Sequence, residues 1–113
     1  MLFRSKDTSF ANTMIKAYAR VNDPTVNPVT LFTSFNVSIT RAGTGRYDVA
    51  FATQMVLDSY VVVFAPPTNT SDARGFLITP SNSFLASGFS IFTYGTNEVG
   101  ADRQFGFIVV GRQ

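Results

Sequence analysis

Apolar and polar residues alternate along most of this 113-residue sequence, and each run of alternation ends at Gly, Pro or Asn after a few residues. Phe35, Val37 and Ile39 alternate with polar residues, and the same spacing returns across 47–52. A period of two places successive side chains on opposite faces of a β-strand. Because a Gly-containing segment, 41–46, separates the two runs, they predict a β-hairpin.

Further strands are predicted after this hairpin. Apolar runs occupy 60–65, 75–79, 84–94 and 103–110, and turn residues separate them. This spacing is typical of antiparallel sandwiches, and the length suits one domain. The sequence therefore predicts an all-β fold, namely an antiparallel, jelly-roll-like β-sandwich of about seven to eight strands.

The N-terminal stretch fits two interpretations. Phe10, Met14 and Tyr18 recur at the spacing of a helix, whereas Ile15 to Val21 alternate as in a strand. We favour the strand. The predicted organisation is then an extended N-terminal arm over 1–12, followed by a single sandwich domain over 13–113.

Three predicted strands, 60–65, 89–94 and 105–110, are apolar on both faces. The outer face of a small sandwich normally carries polar residues, so a second apolar face suggests that another copy of the chain covers it. On this basis we expect contacts between copies at five positions: Phe92, Tyr94, Phe105, Phe107 and Val109.

The amino-acid composition excludes most classes of catalytic and metal-binding site. The chain has no Cys and no His, and charged residues form only 14% of it. These absences exclude a thiol nucleophile, a histidine-containing triad and the common zinc and haem ligand sets. The nine basic residues are scattered, with a net charge of +2, and nucleic-acid binding calls for a basic stripe. We therefore expect no cofactor, no metal and no nucleic-acid partner.

Membrane insertion and enzymatic activity are also not expected. The longest apolar run, 60–65, is far shorter than the roughly 18 residues of a membrane span, and the N-terminus lacks the apolar region of a cleaved leader. Asp48 and Asp58 could face each other as a hydrolytic carboxylate pair. Their positions are those of an outward strand residue and a turn residue, so we predict that the protein is not an enzyme.

Several segments, taken in order, carry a family resemblance. They are 16–22, then Ser34-Phe35-Asn36-Val37-Ser38-Ile39-Thr40, then 43–55, 59–63 and 107–111. They resemble a small β-domain common in tailed bacteriophages, whose members carry the patterns SFNVSSIT, GTGxYTVxFxTxM, YVVV and FxVxG. The resemblance covers 16–111 and departs from the family at 23–31 and 66–74.

The resemblance implies a virion structural or accessory protein that forms a homotrimer and has no enzymatic role. Within that class we expect a capsid decoration, or cement, protein that binds the major capsid protein and stabilises the shell. The N-terminal arm would supply the contact, because apolar anchors and charges on an extended segment suit docking on a neighbour. The arm residues expected to bind are Leu2, Phe3, Arg4, Lys6 and Phe10.

Two alternatives stay open. One is a tail-fibre or tail-tip module that attaches to a shaft protein and binds a host receptor, although the chain has none of the heptad or collagen-like repeats of a shaft. The other is a lectin-like module that binds glycans through the polar loop 69–74. We expect a protein that is made in the host cytoplasm and ends in the virion, on the capsid surface or alternatively on the tail.

Overall fold

The computed structural model describes residues 14–68, 76–80, 83–95 and 99–113, and the strands in these ranges form two antiparallel sheets. The first sheet has the strand order β2-β1-β8-β5 and the second has the order β3-β4-β7-β6. The prediction of an antiparallel sandwich of seven to eight strands is confirmed. The strands are β1 (Ile15–Asp23), β2 (Thr30–Phe35), β3 (Val37–Gly43), β4 (Arg46–Phe51), β5 (Tyr60–Thr68), β6 (Phe76–Ile78), β7 (Gly88–Tyr94) and β8 (Gln104–Gly111).

The predicted hairpin is formed by β3 and β4. Val37 pairs with Phe51 at its open end and Gly43 pairs with Arg46 at the turn. Gly45 has a φ of 70° in this turn, a conformation that glycine adopts at little cost. A Cβ there would lie 2.4 Å from the carbonyl oxygen of Thr93, so glycine is also required by the close approach of β7.

The chain passes from the first sheet to the second at Asn36, between β2 and β3. Its φ of 61° lies in the left-handed region, which Asn tolerates better than most residues. The side-chain amide donates to the carbonyl oxygens of Lys16 and Thr53, each at 3.1 Å, and the Thr53 N–H donates to its oxygen at 2.6 Å. The alternation at 35–39 therefore belongs to two strands in different sheets, where the sequence predicted one.

The N-terminal strand is also confirmed. Ile15–Asp23 lies between β2 and β8 in the first sheet, so the helical interpretation of this stretch is wrong. Ala17, Ala19 and Val21 point into the core, and the residues between them point outward.

The core fills the space between the two sheets. Aromatic rings form its centre: the Phe89 ring lies 5.3 Å from that of Phe107, and the Phe51 ring lies 5.4 Å from that of Tyr60, both in edge-on geometry. Edge-on packing of this kind adds to the energy of apolar burial. The buried apolar residues are Ala17, Ala19, Val21, Val29, Ile39, Tyr47, Val49, Phe51, Met55, Phe89, Ile91, Phe105, Phe107 and Val109.

Candidate interaction face

The outer face of the first sheet exposes large apolar side chains on all four of its strands. Since side chains alternate between the two faces of a strand, the inward positions of β5 and β8 fix which residues point outward. On β5 these are Val61 and Val63, which are 64% and 57% exposed. On β8 they include Ile108, which is exposed, and Val110, which is half-buried.

The strand register aligns four of the exposed side chains in one row across this sheet. Phe35 of β2 pairs with Tyr18 of β1, Tyr18 pairs with Ile108 of β8, and Ile108 pairs with Val63 of β5. The rings of Tyr18 and Phe35 contact each other, with centroids 5.9 Å apart. We call this row the ridge. It is a continuous apolar surface from one edge of the sheet to the other.

A second row of residues runs beside the ridge, two positions away on each strand, and its side chains are small on β8 and β5. Thr33 pairs with Arg20, Arg20 with Gly106, and Gly106 with Ala65. Because Gly106 has no side chain and Ala65 has only a methyl group, the surface is low here, and an open groove of about 450 Å³ lies against the ridge. We call this row the groove.

Glycine at position 106 is needed for the shape of this surface. A Cβ added there would lie 3.1 Å from the carbonyl oxygen of Ala19 and 3.8 Å from the Cβ of Ala65. The first distance is shorter than ordinary van der Waals contact. A larger residue would therefore both disturb the pairing with β1 and fill the groove.

Arg20 is the charged residue among those that line the groove. Its guanidinium carbon lies 4.7 Å from the centroid of the Phe32 ring, within the range of a cation–π interaction. Phe32 lies at a bulge between β1 and β2, where the register shifts. The cation is thus held against an aromatic ring, and the surface around it is suited to apolar and aromatic contacts.

A second feature is a polar cluster around Asp102, at the turn end of the hairpin β3–β4. Arg41 donates from Nε and Nη2 to both carboxylate oxygens, at 2.9 to 3.2 Å. The Gly45 N–H donates at 2.9 Å and the Tyr47 hydroxyl at 2.5 Å. The carboxylate therefore connects the segment before β8 to this hairpin.

The pKa shifts in this cluster have the directions expected for a carboxylate held by hydrogen bonds. Burial alone would raise the pKa of Asp102, but the hydrogen bonds from Arg41, Tyr47 and Gly45 outweigh burial and lower the pKa below its usual value. Burial, followed by the hydrogen bond to ionised Asp102, raises the pKa of Tyr47. Asp102 stays charged at neutral pH and Tyr47 stays protonated, so the cluster serves as a structural connection.

The five positions predicted to contact another copy fall in two different places. Phe105, Phe107 and Val109 are buried in the core of a single chain, so a second copy would contact the opposite side of β8. The prediction placed these three side chains on an exposed face, because alternation alone shows which residues share a face and not which face is buried.

Phe92 and Tyr94 lie on the outer face of the second sheet and are half-buried. The Arg46 guanidinium carbon lies 5.0 Å from the centroid of the Phe92 ring and covers one side of it. Ser38, Thr40 and Asp48 are exposed and polar on β3 and β4 of this face, whereas Ile78 of β6, which pairs with Phe92, is exposed and apolar. This face is therefore less apolar than the outer face of the first sheet.

The predicted arm, with its five binding residues, and the loop 69–74 lie outside the described residues. Among those described, no group of His, Cys, Asp or Glu is arranged to hold a metal ion. In the same ranges, no helix has the length and apolar character to cross a membrane.

Comparisons with known proteins return no relative. No protein-family model, no curated protein and no solved structure matches this chain. The resemblance to a bacteriophage β-domain therefore stays a prediction.

Proposed function

We propose that this chain is a structural protein of a bacteriophage particle, located on the capsid surface as a decoration protein. The observation that carries the proposal is the apolar outer face of the first sheet. An outer sheet face that meets only water is normally polar, and contiguous exposed apolar patches mark sites of protein–protein contact. A small sandwich with such a face is suited to binding other proteins within a larger assembly.

The sequence resemblance supports the virion setting, and the predicted arm supports attachment. Leu2, Phe3 and Phe10 are apolar anchors on a segment that precedes β1, and Arg4 and Lys6 would meet acidic side chains of the major capsid protein. The resemblance implies three copies in the assembly. Stabilisation of the shell follows if each assembly contacts more than one capsid subunit.

The test is the number of copies in the particle of the phage that encodes this chain. Quantitative mass spectrometry of purified virions, with the major capsid protein as the internal standard, measures that ratio. We expect hundreds of copies per particle, as for a protein distributed over the capsid lattice. A few copies, or a few tens, would instead favour the tail module, and complete absence from the particle would overturn the virion role.

A further inference from the structure

We infer that the ridge and the groove are the two halves of a contact between two copies of this chain. The ridge stands above the sheet at Phe35, Tyr18, Ile108 and Val63, and the groove lies beside it over Gly106 and Ala65. A raised row next to a row that is low on β8 and β5 is complementary to itself over those two strands. This inference goes beyond the proposed function and does not depend on the particle to which the chain belongs.

The strand register defines how the two copies would meet. A two-fold axis parallel to the ridge, midway between ridge and groove, places the ridge of each copy over the groove of the other. Because the axis runs along the rows, every strand faces the same strand of the second copy. Ile108 then lies over Gly106 and Val63 over Ala65, so the larger side chains meet the positions where the surface is low.

The remaining pairs along the rows are also chemically compatible. Tyr18 of one copy lies over Arg20 of the other, and a tyrosine ring is a favourable partner for a guanidinium group. Phe35 lies over Thr33. The two Arg20 residues fall on opposite sides of the axis, about 7 Å apart along the strand direction, and each guanidinium lies over the Tyr18 ring of the other copy.

The exposed apolar area is sufficient for such a contact. Tyr18, Phe32 and Phe35 are each between 37% and 55% exposed, and Val61, Val63 and Ile108 between 38% and 64%. From the usual areas of these side chains, they expose on the order of 500 Å². A standard interface buries about 800 Å² per partner, and in homodimers about 65% of it is apolar. The face therefore supplies about the apolar surface that one copy contributes to a stable pair.

A two-fold contact between identical faces closes on itself and gives a dimer. The structure thus assigns two copies to this face, where the sequence resemblance implies three. The two expectations differ in mass, so one measurement separates them.

The test compares two substitutions that add the same side chain to different faces. Ala65→Leu fills the groove, and Ala50→Leu is the matched control on the outer face of the second sheet; both alanines are exposed on strands. The full chain and both variants are measured by sedimentation equilibrium. Urea unfolding at a fixed, low protein concentration checks that both variants are folded.

For the wild-type chain we expect a mass of twice 12.3 kDa. Ala65→Leu should weaken the dimer at least about tenfold, because overpacking at a closely fitted contact is costly, and Ala50→Leu should leave it unchanged. As a second variant, Ile108→Ser should weaken the dimer, because it removes the apolar side chain that lies over Gly106 of the other copy.

Three outcomes would overturn the inference. They are a monomeric wild-type chain at high micromolar concentration, a dimer equally stable in Ala65→Leu and Ala50→Leu, and a mass of three copies. None of these results changes the number of copies measured in virions, so the inference and the proposed virion role fail separately.

Discussion

At the scale of single residues, Gly88 is the position where the sandwich leaves least room. It pairs with Ala50 across β4 and β7, and a Cβ there would lie 1.9 Å from the carbonyl oxygen of Val49 and 3.0 Å from its carbonyl carbon. Both neighbours are backbone atoms, which cannot move without separating the strands. This close backbone approach is the reason that glycine is required at position 88.

We therefore expect Gly88→Ala to lower the free energy of unfolding by about 3 kcal/mol or more. Gly43→Ala is the control, because the nearest atom to a Cβ at Gly43 is the Arg46 Cδ at 3.6 Å, an ordinary contact. That variant should change stability by less than about 0.5 kcal/mol. Urea unfolding followed by circular dichroism measures both, and equal stabilities for the two variants would show that the close approach at Gly88 is easily relieved.

Asp102 gives a second prediction at this scale, with a defined pH dependence. Replacing it by Asn removes the carboxylate that accepts from Arg41, Gly45 and Tyr47. Hydrogen bonds to a charged group contribute about 1.5–3 kcal/mol, so Asp102→Asn should lower the free energy of unfolding by about that amount at pH 7. Asp48→Asn, which loses one exposed bond from the Ser90 hydroxyl, should cost much less.

The sign of the pH effect follows from the lowered pKa of Asp102. A carboxyl group whose pKa is lower in the folded state stabilises the fold above its unfolded pKa and loses that contribution as the pH falls through the folded value. The difference in stability between wild type and Asp102→Asn should thus be constant near neutrality and shrink below pH 3.8, the ordinary value. A difference that stays constant down to pH 2 would mean that the carboxylate charge contributes nothing.

At the scale of strands, the sequence predicts the hairpin and the sandwich well because both depend on local spacing. The two-residue period and the glycine turn are sufficient to predict β3 and β4. The transition at Asn36 is not predicted, because the alternation of Phe35, Val37 and Ile39 continues unbroken through it. What divides β2 from β3 is the set of hydrogen bonds that the Asn36 side chain makes with Lys16 and Thr53, both of which are distant in sequence.

The same limit explains why the sequence did not identify the apolar outer face of the first sheet. The apolar character of both faces of β8 is visible in the sequence and predicted the involvement of this strand. The orientation of Ile108 toward the outside follows from the packing of Phe107 against Phe89, which is a contact between sheets. The groove also depends on the register that places Gly106 beside Ala65, and no local pattern encodes that pairing.

The role of the predicted arm can be tested by deletion. β1 begins at Ile15 and makes its pairings with β2 and β8 from there onward. Deleting residues 1–12 should therefore leave the free energy of unfolding within about 1 kcal/mol of wild type and abolish binding to the phage particle. Co-sedimentation with particles that lack the protein measures binding.

Two controls make this deletion informative. A full-length chain with Leu2, Phe3 and Phe10 replaced by Ser should lose binding as the deletion does, if apolar anchors hold the arm. The Ala50→Leu variant should bind as wild type. If the deleted protein binds particles as well as the full chain, the arm has no part in attachment.

At the scale of the whole molecule, the two outer faces differ in character. The first sheet presents the apolar ridge, and the second presents a more polar surface that includes exposed Ser38, Thr40 and Asp48. If the apolar face pairs two copies, the predicted N-terminal arm is left for contact with the particle. Self-association and attachment would then use different physical forces in one small domain.

That separation predicts different responses to salt. Contact between ridge and groove is apolar, with Arg20 as its charge, and apolar association does not weaken with ionic strength. Attachment through Arg4 and Lys6, as proposed for the arm, would be electrostatic in part. Raising NaCl from about 0.05 M to about 0.5 M shortens the screening length several-fold, so it should weaken particle binding several-fold and leave the dimer mass unchanged. Sedimentation of the free protein and co-sedimentation with particles measure the two effects in the same buffers. Dissociation of the dimer at high salt would contradict an apolar contact, and salt-independent particle binding would contradict the role of the basic residues in the arm.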